Sequence, residues 1–154
     1  MKTRDHYHLG IVVEDYESTL AQLTELFGYE WCEEIDVVLP VWLPGGERDL
    51  DLRFAYSMDT PRLEIIRSIP GTPWEPAAGS GIHHMGYWSD DVAGDSSLLE
   101  RHGYVKEASA MGPDGTPVFV YHRNPAGPRI ELVASSTRPG MEQYWATGKS
   151  PFSS

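Results

Sequence analysis

The chain has 154 residues, 40% of them hydrophobic and 23% charged, which is length enough for a real core in one domain or in two closely packed small modules. A formal net charge of −11 argues against the Lys- and Arg-rich surface that nucleic acid requires and gives an anionic membrane nothing to hold, so neither is expected as a partner. The lone Cys32 excludes an internal disulfide framework and every cysteine-based zinc motif, no stretch reaches membrane-spanning length, and Met1-Lys2-Thr3-Arg4-Asp5-His6 has no signal-peptide core; a cytoplasmic protein is expected.

Tyr7 to Val13 reads as a short strand, after which Glu14-Asp15 opens an amphipathic helix over Tyr16–Phe27 with Tyr16, Leu20, Leu23, Leu26 and Phe27 at helical spacing and Gly28 as its stop. Tyr29 to Trp42 reads as a second strand with an irregular end, followed by a loop over Gly45–Asp49. Asp51–Ser57 and Arg62–Ile69 read as strands joined by the turn Met58-Asp59-Thr60-Pro61. Residues 70–81, rich in Pro, Gly and Ala and without periodicity, read as a linker. Beyond it the order returns: strand Ile82–Trp88, helix Val92–Arg101 stopped by Gly103, strands Tyr104–Ala110 and Thr116–Arg123, the turn Asn124–Pro128 and strand Arg129–Ala134. Residues 135–154 form a tail with a short amphipathic piece, Met141–Trp145. The expected organisation is α+β, with two tandem βαβββ modules at 5–69 and 82–134 forming a curved mixed sheet around a metal-binding cleft.

The repetition extends to individual residues. Tyr7-His8-Leu9-Gly10-Ile11 returns as His83-His84-Met85-Gly86-Tyr87, and Arg62-Leu63-Glu64-Ile65-Ile66 returns as Arg129-Ile130-Glu131-Leu132-Val133. Each copy thus supplies one histidine and one glutamate. Side chains two apart on a strand share a face, so His8 and Gly10 oppose Leu9, Ile11 and Val13, and Glu64 opposes Leu63 and Ile65. His84 opposes Met85 and Tyr87, and Glu131 opposes Ile130 and Leu132, which puts all four candidate ligands away from the helix-packed faces and His83 on the opposite face from His84. Two imidazoles and two carboxylates without sulfur suit one divalent ion such as Zn, Ni, Co, Fe or Mn. The carboxylates would balance its charge, and the remaining coordination positions would leave room for Lewis-acid catalysis.

The strand Tyr7–Asp15, the segment Gly81-Ile82-His83-His84-Met85-Gly86-Tyr87 and the two Arg-x-Glu strands resemble the vicinal oxygen chelate superfamily of glyoxalase I, methylmalonyl-CoA epimerase, extradiol dioxygenases and the fosfomycin and bleomycin resistance proteins, over about residues 5–134. The glyoxalase I and epimerase branches are closest in motif. The resemblance implies paired βαβββ modules, a homodimer, and one metal held by His8, Glu64, His84 and Glu131, with His84 rather than His83 as ligand because it precedes a hydrophobic residue and glycine. It also implies a small substrate that chelates through adjacent oxygens. Two His with two Glu favours glyoxalase-like lyase, isomerase or epimerase chemistry through an enolate or enediolate, with Glu131 or Glu64 moving the proton.

Tyr56, Trp88, Tyr121, His122 and Arg48 are candidates for a substrate pocket, although strand aromatics are commonly core. Arg62 and Arg129 are expected as ion-pair partners on the ligand strands, and His6, His102 and Cys32 as incidental. Two alternatives compete: a metal-free small-molecule or drug-binding protein of the resistance type, suggested by 5 Trp and 8 Tyr, and an Fe(II) extradiol-type dioxygenase, whose two-His, one-carboxylate pattern would not need Glu64.

Overall fold

In the computed structural model, which describes residues 1–151, eight strands and three α-helices alternate as β1 (His6–Val13), α1 (Tyr16–Phe27), β2 (Ile35–Leu43), β3 (Gly46–Tyr56), β4 (Leu63–Arg67), β5 (His84–Ser89), α2 (Val92–Arg101), β6 (Val105–Met111), β7 (Pro117–Arg123), β8 (Ile130–Ala134) and α3 (Arg138–Thr147). The class is α+β, and each half runs strand, helix, three strands. The strands close into a barrel in the order β1-β4-β3-β2-β6-β7-β8-β5, so the curved sheet expected from the sequence keeps no free edge. Within each half the first strand returns parallel to the fourth, β1 with β4 and β5 with β8, because a helix lies on the crossover between them. The halves meet at two antiparallel seams, β1 with β5, and β2 with β6 through Trp42 opposite Ser109.

Local chemistry explains the helix limits. The Asp15 carboxylate accepts from the Ser18 N–H at the start of α1, Asp91 accepts from Gly94 N–H at the start of α2, and Gly28 ends α1 in the left-handed conformation at φ 75°. Tyr16, Leu20 and Leu23 pack on Ile11, Val13 and Ile65, while Val92 and Leu99 pack on Met85, Tyr87, Ile130 and Leu132. The alternate residues therefore face the barrel interior. Leu26 and Phe27 depart from the expected apolar stripe: the last turn of α1 leaves them 69% and 71% exposed.

Other departures have physical reasons. Inward Leu50 and Leu52 alternate with exposed neighbours and extend β3 back to Gly46, so the expected Gly45–Asp49 loop shrinks to a two-residue turn at Pro44-Gly45. Residues 29–34 pair only through Trp31 opposite Ser57. Glu33 turns its bonding capacity to the C-terminal segment instead: its N–H donates to Gly148 O, its carbonyl accepts from Tyr144 Oη, and its carboxylate accepts from Lys149 Nζ and Ser150 N. These ties hold α3, longer than the expected Met141–Trp145 piece, against Cys32, Ile35 and Tyr56. Residues 152–154 of the tail lie outside the described residues. No helix among the described residues is long and apolar enough to cross a membrane.

The stretch between the halves does more than connect them. Trp74 is 2% exposed and packs edge-on to Tyr121 at 5.2 Å, within the interior cluster of Val12, Val41, Leu43, Leu52 and Ile66. Ile69 N–H donates to Trp74 O at 2.8 Å and Thr72 Oγ1 to Ile69 O at 2.6 Å, which closes the segment into a plug. Trp74→Ala is expected to cost about 3–5 kcal/mol of stability. Urea unfolding checks it: the midpoint should fall with the slope unchanged, and a midpoint equal to wild type would show that the plug carries no core energy.

Candidate metal centre

The seam between β1 and β5 pairs His8 with Gly86 and Gly10 with His84, a register that reads the same when the two strands are exchanged. β4 sets Glu64 beside Gly10 and β8 sets Glu131 beside Gly86; one strand further out, Tyr56 lies beside Glu64 and Tyr121 beside Glu131. A local twofold therefore relates the row Tyr56, Glu64, Gly10, His84 to the row Tyr121, Glu131, Gly86, His8. The glycines make the rows possible. A Cβ on Gly10 would fall 1.8 Å from Cε1 of His84, and one on Gly86 would fall 1.9 Å from Cε1 of His8, so each imidazole occupies the space left by the glycine across the seam. Sequence reasoning recorded both glycines without a role for them; antiparallel pairing of two His-x-Gly motifs was the signal.

His8 and His84 are 1% exposed, and Glu64 and Glu131 are 6% exposed. The two Nε2 atoms stand 2.8 Å apart. His8 Nε2 is 3.4 Å from Glu64 Oε2 and 3.2 Å from Glu131 Oε2, and His84 Nε2 is 3.3 and 3.4 Å from the same oxygens. One ligand atom from each residue lies within 4.8 Å of the others. Both Oε2 atoms are buried without a hydrogen-bond partner, although buried polar atoms are ordinarily satisfied. Two imidazole nitrogens and two unsatisfied carboxylate oxygens aimed at one point fit a divalent cation of intermediate hardness.

The electrostatics follow from that crowding. Burial alone would raise the Glu64 and Glu131 carboxyls, but His8 and His84 beside them outweigh it and hold both below the usual carboxylate range. Burial would depress His8, yet Glu64 and Glu131 push its pKa from 6.5 up to about 9. Burial, reinforced by the glutamate charges, pushes the Tyr56 and Tyr121 phenols, which lie beside Glu64 and Glu131 in the strand register, well up. Their rings stand edge-on to His8 at 5.4 Å and to His84 at 5.0 Å respectively, again as twofold equivalents.

Of the other pocket candidates, Tyr56 and Tyr121 lie at the centre, and Trp88 lies one layer away, stacked on Tyr7 at 4.0 Å. His122 does not belong there. It alternates with Tyr121 along β7, so it points outward, where its Nε2 meets Ser96 Oγ of α2 at 2.8 Å. Arg48 is exposed near the β2–β3 turn. Arg129 pairs with Glu107 at 2.6 Å rather than with Glu131, and Arg62 donates to the Ser57 and Met58 carbonyls while stacking over Trp145. Two residues were missed. A register shift between His6 and His8 turns Tyr7 towards the centre, where burial first and then the charges of Glu131 and Glu64 raise its hydroxyl pKa. His83 precedes β5, so strand alternation does not govern it: it is buried with its Nδ1 2.9 Å from His84 Nδ1 and its Nε2 2.6 Å from Pro73 O. Burial, and then His84, lower its pKa from 6.5 to about 3.

Residues 7–118 match the family described as the Glyoxalase/Bleomycin resistance protein/Dioxygenase superfamily. No curated protein matches the chain. Among solved structures, a Streptomyces coelicolor methylmalonyl-CoA epimerase variant in complex with 2-nitronate-propionyl-CoA is similar at TM-score 0.57 and 17% identity, with 84% of this chain and 96% of that one covered. A Mycobacterium tuberculosis methylmalonyl-CoA epimerase is similar at 0.54 and 15%, covering 87% and 91%, and a hypothetical protein from Bacillus halodurans at 0.56 and 16%, covering 84% and 92%. These likenesses are of fold.

Two predictions follow from the geometry. Gly10→Ala should drive the His84 ring off the centre and lower zinc or cobalt affinity about tenfold or more, whereas Gly45→Ala, in open space, should leave it unchanged; competition against a chromophoric chelator reads both. A cation must also displace the proton that the glutamates hold on His8. Below about 9 that proton opposes binding, so affinity should climb about tenfold per pH unit from 7 and level off above 9; a flat profile over that range would contradict the coupling.

Proposed function

The chain belongs to the Glyoxalase/Bleomycin resistance protein/Dioxygenase superfamily, and we propose that it is a divalent-metal-dependent isomerase of the epimerase type. In this reading His8, His84, Glu64 and Glu131 hold one ion of Zn, Ni, Co, Fe or Mn, and the two glutamates move a proton on a substrate carbon next to a carbonyl. The observation that carries it is the pair of buried, ionised carboxylates related by the local twofold, each with one oxygen that makes no hydrogen bond and faces both imidazole Nε2 atoms. When bound, the ion supplies Lewis-acid polarisation of a substrate that chelates through adjacent oxygens.

The protein's own groups do the rest. Tyr56 and Tyr121, their pKa values raised well above the ordinary range by burial, stay protonated at neutral pH and stand beside Glu64 and Glu131 as neutral groups. One glutamate takes the proton from carbon and the other returns it to the opposite face, or the same one does both. Burial of the centre keeps bulk water from competing for that proton. The epimerase in the Streptomyces structure is complexed with an acyl-CoA analogue, which makes 2-substituted acyl-CoA esters the first substrates to test, followed by thiol adducts of 2-oxoaldehydes. A homodimer in the cytoplasm belongs to the same reading, by family resemblance.

A second reading has one observation in its favour. Tyr7 and Trp88 are stacked and Trp145 leans on both at 5.8 and 6.3 Å, an aromatic wall that a ligand-sequestering protein would use. An extradiol dioxygenase is disfavoured, since Glu64 is as deeply buried at the centre as Glu131. The test combines elemental analysis of untagged protein with solvent deuterium exchange into a 2-substituted acyl-CoA ester, followed by NMR. About one ion per chain is expected, lost in His8→Ala, with exchange lowered by about 10²–10⁴ in Glu64→Gln and Glu131→Gln. Failure to bind any divalent ion would overturn the enzyme reading in favour of the binding protein.

A further inference from the structure

We propose that His83 is a positioning residue: the chain Pro73 carbonyl, His83, His84 locks the His84 imidazole in the tautomer whose Nε2 is free to bind a metal ion. The role in metal binding rests on the reading of His84 as a ligand; the tautomer follows from hydrogen bonding alone. Pro73 O can only accept, and it lies 2.6 Å from His83 Nε2, so that nitrogen carries the hydrogen. His83 Nδ1 then presents a lone pair, and the atom it meets at 2.9 Å is His84 Nδ1, which must donate. With its hydrogen on Nδ1, a neutral His84 keeps a lone pair on Nε2, which lies 2.8 Å from His8 Nε2 and accepts the hydrogen carried there, while the Glu64 and Glu131 oxygens stand 3.3 and 3.4 Å away. The alternative, a second hydrogen on His83, would bury a cation at 3% exposure and reverse the direction of the bond to His84.

The anchor is stiff enough for the task. Pro73 sits between Thr72, whose hydroxyl donates to Ile69 O and accepts from Trp74 N–H, and Trp74, which is buried against Tyr121. His83 itself is tied to the seam by its backbone N–H, which donates to Gly10 O at 2.8 Å. The twofold breaks here. Tyr7 occupies the corresponding place before His8, and His8 Nδ1 is buried without a hydrogen-bond partner, so only one of the two imidazoles is held in a fixed tautomer from outside. Outer hydrogen bonds of this kind set ligand orientation and basicity.

The experiment has two readouts, long-range ¹H–¹⁵N NMR of the histidine rings in metal-free protein and zinc affinity by chelator competition. In wild type, His84 should carry its hydrogen on Nδ1 and His83 on Nε2. His83→Phe should mix the His84 tautomers and weaken zinc about 10–100-fold, while His83→Gln, which can still donate to Pro73 and accept from His84, should stay within about threefold. Hydrogen on Nε2 of His84 in wild type, or wild-type affinity in a folded His83→Phe, would overturn the proposal. If wild type bound no zinc, the metal reading and His83's part in it would fall, and the NMR tautomer would still decide whether the relay exists. Should His83→Phe not fold, the wild-type spectrum and His83→Gln carry the decision.

Discussion

Burying two carboxylates in the middle of a barrel is the constraint to which the rest of this structure answers. An ionised carboxylate taken out of water costs several kcal/mol even after the protein relaxes around it, and two close together repel. Glu64 and Glu131 stay ionised because two imidazoles face them at 3.2 to 3.4 Å, and the same charges lift His8 towards the cationic form. Even so, one oxygen of each glutamate goes without a hydrogen bond. Such a cluster weakens the fold unless something recovers the cost, and under the proposed metal reading a divalent ion shared by all four donors would recover it at a single point. The phenols of Tyr56 and Tyr121, next to Glu64 and Glu131 across the strands, stay neutral and add no further charge.

The centre belongs to neither half alone. Each half brings one histidine and one glutamate, but each histidine ring lies over the glycine of the other half, so the position of His8 depends on Gly86 and that of His84 on Gly10. The β1–β5 seam therefore joins the two halves and completes the site at the same place. This also explains the parity of the ligand strands: the faces opposite the ligands are taken by α1 and α2, which leaves the barrel interior as the place where four polar side chains meet.

Much of this was legible in the chain. Alternation on four strands identified His8, Glu64, His84 and Glu131 as residues of one face, and Glu14-Asp15, Gly28 and Gly103 around the helical spacing marked α1 and α2. The errors arose where a local rule was carried beyond its reach or left unused. Alternation was extended to His83, one residue before β5 begins, and was not applied to Tyr121 and His122, which cannot both face inward. Tyr7 escaped because a bulge is invisible to a period of two. The burial of Trp74 depends on residues far along the chain, Tyr121 and Phe119 among them, and an aperiodic Pro-rich stretch carries no sign of such contacts. Arg48 drew attention through its Gly-Gly neighbours, which serve a tight turn.

The inner layer of the centre is nearly symmetric and the layer around it is not. On one side stand His83, the Pro73 carbonyl and the Trp74 plug; on the other stand Tyr7, Trp88, Trp145 and the Arg62 guanidinium over the Trp145 ring. Under the proposed epimerase reading these two properties answer different demands. The reacting carbon must lose and regain its proton from either face with comparable ease, which two glutamates in equivalent settings allow. The remainder of the substrate must lie one way round, and a twofold environment could not tell its two ends apart. An outer layer that differs between its two sides, around an inner layer that repeats, meets both demands, and it does so with residues that neither strand alternation nor the repeat itself would single out.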